Sequence, residues 1–192
     1  MDDERQLISE SQRGDLDAFN TLVERHQRQV YNLALRMLGD GDLAADAAQE
    51  TFISAYRAVR GFRGGNFRSW LLRIATNACL DLMRAAKARR SLSLETLELT
   101  PESVPLSREE SPESYTIRRE LGQAIQRGLD TLSYQHRLAV VLIDIQGFTY
   151  QEAASIMGCS EGTVKSRLSR ARRELREALQ QHAELLPDQF RL

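Results

Sequence analysis

The sequence predicts an all-α protein made of two small helical domains joined by a flexible linker, and three observations lead there. Strand signals are scarce: only LAVVLIDI, residues 138 to 145, is rich in β-branched residues, and it lies inside an uninterrupted helical spacing. Elsewhere apolar residues recur every three or four positions, in runs closed by glycines or by Ser, Thr and Asp caps. Between residues 88 and 112 that period stops, and three of the chain's four prolines fall there among acids, serines and leucines. The expected division is therefore 1–87, a linker 88–112, a second domain 113–181 and a loose tail 182–192.

Totals narrow the function. A chain of 192 residues, 42% hydrophobic, is enough for two small cores, and the formal net charge of −1 is nearly neutral. Charge is unevenly spread, with ten Lys or Arg against seven Asp or Glu in 116–180 and four against six in 86–115. Contact with nucleic acid would therefore be local or aided by a partner. Cys79 and Cys159 lie far apart, in segments expected to be helical, with no CxxC or Cys/His cluster, which points to packed thiols in a reducing cytoplasm. MDDERQLISE has neither a basic n-region nor an apolar h-region, and no run of about 18 apolar residues occurs. The expectation is a cytoplasmic protein without membrane insertion.

A short helix is expected over residues 3 to 12. Asp15 then caps a long one, in which Phe19, Leu22, Val23, Val30, Leu33, Ala34, Met37 and Leu38 form a broad apolar face. GDGD at 39–42 stops it. A third helix, about 43 to 59, gathers Ala44, Ala48, Phe52, Ala55, Tyr56 and Val59 on one side and Asp46, Glu50, Ile53 and Arg57 on the other, with Gln49 at the edge. The segment RGFRGGNFRSW, 60–70, mixes three glycines with aromatics and arginines, a cationic loop able to stack. A fourth helix, about 67 to 87, carries an apolar stripe through Trp70, Leu71, Ile74, Ala78 and Leu82 and completes a four-helix unit. After the linker, helices are expected at 113–129 and 133–145.

The richest stretch is GFTYQEAASIMGCSEGTVKSRLSRARRELR, 147–176. Thr149 and Glu152 form a capping box ahead of Ala153, Ala154, Ile156 and Met157, and Gly158 ends that helix. Ser160 then caps a second helix whose Val164, Leu168, Ala171 and Leu175 share one stripe. Ser166, Ser169, Arg170 and Arg173 lie opposite that stripe, flanked by Lys165, Arg167, Arg172 and Arg176. Two capped helices across a glycine turn match helix-turn-helix geometry, with small and hydroxyl residues for close approach and cations for phosphates or guanine acceptors.

The blocks GDLDAFNTLVERHQRQVYNLALRMLGD, DAAQETFISAYRAVRGFRG, FRSWLLRIATNACLDLMR and LDTLSYQHRLAVVLIDIQGFTYQEAASIMGCSEGTVKSRLSRARREL, in that order, resemble the extracytoplasmic function (group IV) sigma factors of the bacterial sigma-70 class. The resemblance covers nearly the whole chain. It implies a non-enzymatic initiation factor that binds core RNA polymerase at the largest-subunit clamp helices and at the flap, and that reads promoter DNA at two elements. Region 4 would read the minus-35 duplex through Lys165, Ser166, Ser169, Arg170 and Arg173, with Thr163 at a phosphate; relatives often carry an aromatic where Ser169 stands. Region 2 would capture the melted minus-10 strand through Arg63, Gly65, Asn66, Phe67, Arg73 and Asn77, where a flipped base needs a pocket, cations and stacking surfaces. Trp70 reads as core or as a stacking platform. Asp46, Gln49, Glu50 and Ile53 fall on the polymerase-binding helix, and the acidic linker would thread toward the RNA exit path. An anti-sigma factor wedged between the two regions is the implied regulator.

No catalytic constellation is visible, since His26, His136 and His182 are scattered and no Gly-rich phosphate loop follows a strand. No cofactor, metal or small-molecule substrate is expected. The competing reading is a stand-alone helix-turn-helix repressor or activator, which needs neither the glycine-aromatic-arginine loop nor the DAAQE helix.

Overall fold

The computed structural model describes residues 2–92 and 112–180. Within them all regular structure is helical: α1 (Asp2–Gln12), α2 (Leu16–Leu38), α3 (Gly41–Ala58), α4 (Phe67–Leu92), α5 (Pro112–Thr131), α6 (Tyr134–Val140), α7 (Tyr150–Met157) and α8 (Glu161–Gln180). Residues 93–111, most of the expected linker with its acidic run, lie outside the described residues, as does the expected tail. The helices on either side reach into the linker span, with α4 continuing to Leu92 and α5 starting at Pro112.

Local chemistry fixes the helix ends. The Asp15 carboxylate accepts from the backbone N–H groups of Asp17 and Ala18 at the start of α2, and Asp40 does the same for α3 through Leu43. The packing face of α3 is rotated from the expected one. Its fully buried line is Ala44, Ala47, Thr51 and Ala55, whereas Ala48 and Phe52 are half-buried and Tyr56 is 40% exposed. The reason is that α3 is wedged between α2 and α4. Thr51 tolerates burial because its hydroxyl donates to the Ala47 carbonyl at 2.6 Å. On α4 the buried line likewise runs through Leu71, Leu72, Ala75, Thr76 and Cys79, leaving Trp70, Ile74, Ala78 and Leu82 half-buried.

The two halves pack on each other. Leu138, Val141, Leu142, Phe148, Ala153, Ala154, Ile156 and Val164 belong to the same buried cluster as the cores of α2, α3 and α4. A second, smaller cluster of Leu129, Leu132, Ala139, Val140, Leu168 and Ala171 holds α5, α6 and α8 together. At the junction, side chains of the second half satisfy carbonyls at the C-terminus of α2, where a helix leaves its last acceptors unpaired. Gln126 reaches Arg36 O at 3.3 Å, and Arg137, only 6% exposed, donates to Met37 O at 2.6 Å. A cation is also the favoured charge at that end of the helix dipole. Arg137 lies 3.1 Å from Asp130 as well. Burial nonetheless dominates this pair, pushing the Arg137 pKa down and the Asp130 pKa up.

After Val140 the helix widens through a π turn, Val141–Ile145, closed by Gln146 N–H on Val141 O. This turn delivers Phe148, 4% exposed, into the shared core ahead of α7.

Candidate nucleic-acid interface

Two surfaces carry the chemistry of nucleic-acid contact, one in each half. The first is α8. The expected capping box at its leading helix is present: Glu152 N–H donates to Thr149 Oγ1 at 3.2 Å, while the Glu152 carboxylate accepts from Thr149 N–H at 2.9 Å. Gly158 closes α7 at φ +62°, a left-handed turn that favours glycine. Cys159 therefore sits in the turn rather than in a helix, half-buried, with Arg167 Nη1 3.6 Å from its sulfur.

Ser160 Oγ accepts from Thr163 N–H at the start of α8. Val164, Leu168 and Ala171 face inward, which leaves Lys165, Ser166, Ser169, Arg170 and Arg173 exposed on the other side. Thr163 is half-buried, and its hydroxyl is paired with that of Ser160 at 2.9 Å. Ser166 bonds back to Thr163 O. Lys165 lies 5.3 Å above the Tyr150 ring. Two of the flanking cations are committed to the fold instead. Arg172 makes a bidentate pair with Asp144 at 2.6 and 3.0 Å, and Arg167 donates to Gln135 at 2.8 Å. Both partners are distant in sequence, so no local signal marks these arginines as structural.

The second surface is a cleft of about 430 Å³ between the loop after α3 and the start of α7. Gly64 and Gly65 adopt φ +90° and +97°, and a side chain at either would meet open space, so their role is the turn itself. Gln12 of α1 steadies the loop by donating to Val59 O and Phe62 O at 3.1 and 2.7 Å. Arg63, Gly65, Asn66 and Arg73 all line the cleft, together with Phe62 and Trp70. Asn77 is exposed farther along α4 and does not line it.

Two aromatics stand where the sequence left their roles open or reversed. Phe67, expected at the melted strand, is 3% exposed, packed under Phe62, Trp70 and His26 with ring centroids 5.3 to 5.6 Å apart. Trp70 is half-buried and forms part of the cleft wall. Phe67 and Trp70 are the first and fourth residues of α4, neighbours on one face of the helix, and it is Trp70 that meets the opening while Phe67 lies beneath it.

Asn66 caps α4 by accepting from Ser69 N–H at 3.1 Å, and its Nδ2 donates to Glu152 Oε1 across the cleft at 2.8 Å. Thr149, with Arg68 and Asn66 from the other wall, holds the Glu152 carboxyl below its ordinary pKa. Arg68 was not anticipated as an interface residue. Its guanidinium lies 4.0 Å over the Phe148 ring and donates to Gln146 O at 2.8 Å. Burial lowers its pKa, with Glu152 opposing.

On the outer side of α3, Asp46, Gln49, Glu50 and Ile53 are all exposed, Ile53 by 38%. Glu50 accepts from Ser54 at 2.9 Å. With Tyr56 one turn on, they form an acidic face bearing an apolar ridge.

The other titratable groups lie outside both surfaces. His26 pairs with Glu4 and His136 with Glu174, each at 3.0 Å. Burial pushes the Cys79 thiol up to about 12. Among the described residues no His/Cys/Asp/Glu group suits a metal ion, and no helix is long and apolar enough to cross a membrane.

The Sigma-70 region 2 family model matches residues 22–89, and the model for Sigma-70, region 4 matches residues 122–175. The ECF RNA polymerase sigma factor SigE of Mycolicibacterium smegmatis is 38% identical over 168 residues, which is 88% of this chain and 64% of that relative, so the chain spans under two thirds of its length. The RNA polymerase sigma-H factor of Pseudomonas aeruginosa is 37% identical over 182 residues, 92% of this chain and 94% of the relative. The ECF RNA polymerase sigma-E factor of Escherichia coli is 37% identical over 179 residues, 91% and 93% respectively. Among solved structures, the sigma factor RpoE of Bartonella quintana in complex with the anti-sigma factor NepR superposes with a TM-score of 0.70 at 28% identity, covering 85% of this chain and 98% of that one. CnrH in complex with the cytosolic domain of CnrY gives 0.69 at 28% identity, covering 92% and 97%.

Proposed function

The chain belongs to the ECF RNA polymerase sigma factors of the sigma-70 family, and from that membership we propose how its surfaces divide the work of promoter-specific initiation. The exposed face of α8, Lys165, Ser166, Ser169, Arg170 and Arg173, reads the minus-35 duplex in the major groove, with Thr163 at the adjacent phosphate. The cleft bounded by Arg63, Gly65, Asn66, Trp70 and Arg73 takes the melted minus-10 strand, and Asn77 continues the contact along α4. Phe67 acts beneath that cleft, as the floor on which Phe62 and Trp70 rest. The acidic face of α3, Asp46, Gln49, Glu50 and Ile53, docks on the clamp helices of core polymerase, and region 4 meets the flap.

One observation carries this reading. An exposed cationic helix and a separate cleft walled by an aromatic, an amide and arginines occur on the same chain, whereas a regulator that binds only duplex needs the first alone. Run-off transcription with core polymerase tests it. The expected result is a promoter-specific transcript that depends on the added protein. Tight duplex binding by α8 with no such transcript would favour a stand-alone regulator.

Control by an anti-sigma factor is part of the proposal, supported by the solved relative RpoE, which is in complex with the anti-sigma factor NepR. Affinity capture of the protein from resting cells should recover a partner other than polymerase, whose release accompanies transcription. Recovery of polymerase subunits alone under every stress tested would remove this part.

A further inference from the structure

The cleft assigned above to the melted strand has region 4 for its far wall: Gln151, Glu152 and Ser155 of α7 face Asn66, Trp70 and Arg73. The donor amide of Asn66 is already occupied by the Glu152 carboxylate at 2.8 Å. A carboxylate between an asparagine amide and nearby arginines is chemically what a strand phosphate would be there. Around it the two halves are fastened by side chains that donate to main-chain carbonyls of the other half. Tyr134 Oη reaches Thr76 O at 2.6 Å, Arg137 reaches Met37 O at 2.6 Å and Arg68 reaches Gln146 O at 2.8 Å. Gln29 and Gln146 bond side chain to side chain at 3.0 Å. The recognition face of α8 is not covered by any of this and stays exposed.

We propose that this packing is an intramolecular lock in which Glu152 of region 4 occupies the strand cleft of region 2, so that the closed chain can engage duplex but not melted DNA. The lock rests on the assignment of the cleft to the melted strand. Geometry requires that it opens during initiation. Elements at minus-35 and minus-10 are separated by roughly 25 base pairs, about 85 Å at 3.4 Å per step, yet here the two reading surfaces share a wall. The 19 residues from 93 to 111 supply up to about 65 Å of reach, and the lengths of α4 and α8 add to it. Glu152 is well suited to a reversible plug because it has a second role: Thr149 holds it as the capping residue of α7 whether or not Asn66 is present.

The test uses the full chain in a Cys159→Ser background. Tyr134→Phe combined with Arg137→Met removes two fasteners, and unchanged duplex affinity reports that region 4 is still folded. The expected result is a larger radius of gyration in small-angle scattering, with tighter binding of a random-sequence single-stranded oligodeoxynucleotide pool. If one molecule in ten is open, the gain is about tenfold. The converse variant, Gln29→Cys with Gln146→Cys, is closed by a short bis-methanethiosulfonate cross-linker; it should lose strand binding, keep duplex binding and recover on reduction. This arm decides the matter should the first variant fail to fold. An unchanged radius of gyration in a folded first variant, or strand binding untouched by the cross-link, overturns the lock. If wild-type run-off remains promoter-specific in that case, only the lock has failed; if run-off fails too, the function itself is wrong.

Discussion

Of the six basic residues between 165 and 176, the fold has already used two. Arg167 and Arg172 are tied to Gln135 and Asp144, which leaves Lys165, Arg170, Arg173 and Arg176 exposed, the first three of them on the open face. Replacing Arg170 or Arg173 by Ala should therefore weaken duplex binding by about 1–3 kcal/mol where the side chain meets a base edge. Arg172→Ala removes a half-exposed pair and should shift thermal stability by no more than about 1 kcal/mol. Fluorescence anisotropy and thermal unfolding separate the two. The same logic divides the aromatics. Phe67→Ala empties a buried site and should cost about 3–5 kcal/mol of stability, whereas Trp70→Ala should leave most of the fold and reduce open-complex formation, read by permanganate footprinting. Comparable loss of stability in both would contradict the assignment. Periodicity made the open face of α8 legible, because the alternation of apolar and basic residues is local. Which arginines are spoken for was not, since Asp144 is 28 positions from Arg172 and no pattern links them.

At the scale of single elements, ends were easier to read than faces. Thr149 with Glu152, Gly158 and Ser160 each act within four residues, so the boundaries of α7 and α8 follow from the sequence. The buried side of α3 depends on which helices flank it, and there Thr51 outcompeted Tyr56 for the interior. The π turn at Val141–Ile145 left no local mark either, because the reason for it is Phe148 and the core it enters. Caps matter most where helices are short. An eight-residue helix such as α7 is marginal alone, so Thr149→Ala, which removes one acceptor and loosens Glu152, should lower stability by about 0.5–2 kcal/mol. Thermal unfolding checks this. Because Glu152 also faces Asn66, the same variant should lose duplex affinity less than it loses stability, since α8 keeps its own cap at Ser160.

At the scale of the whole molecule, the two expected helical domains are present, matched by regions 2 and 4, and they pack on each other through a shared buried cluster. Contacts such as Arg137 to Met37, 100 positions apart, leave no trace in either local period. Closure couples to pH through Glu152. Its folded pKa is depressed, first by the Thr149 backbone N–H and then, among weaker causes, by Arg68 and Asn66 across the cleft. The Thr149 share of the depression belongs to α7 itself. The share from Arg68 and Asn66 exists only when the halves are packed, so it favours the closed form above the ordinary pKa, near 4.5, and disappears as pH falls through the lower folded value. The histidine pairs do not oppose this within the junction, since His26–Glu4 joins α1 to α2 and His136–Glu174 joins α6 to α8, each within one half. Acidification from about pH 6 to well below 4.5, through the depressed folded value, should thus enlarge the wild-type radius of gyration while far-ultraviolet circular dichroism still reports intact helices. Glu152→Gln keeps an acceptor for Asn66 but carries no charge for Arg68, so its dimensions should change less over the same range. A variant that expands in parallel with the wild type would mean that carboxylates elsewhere, such as Asp130 beside the buried Arg137, govern the opening.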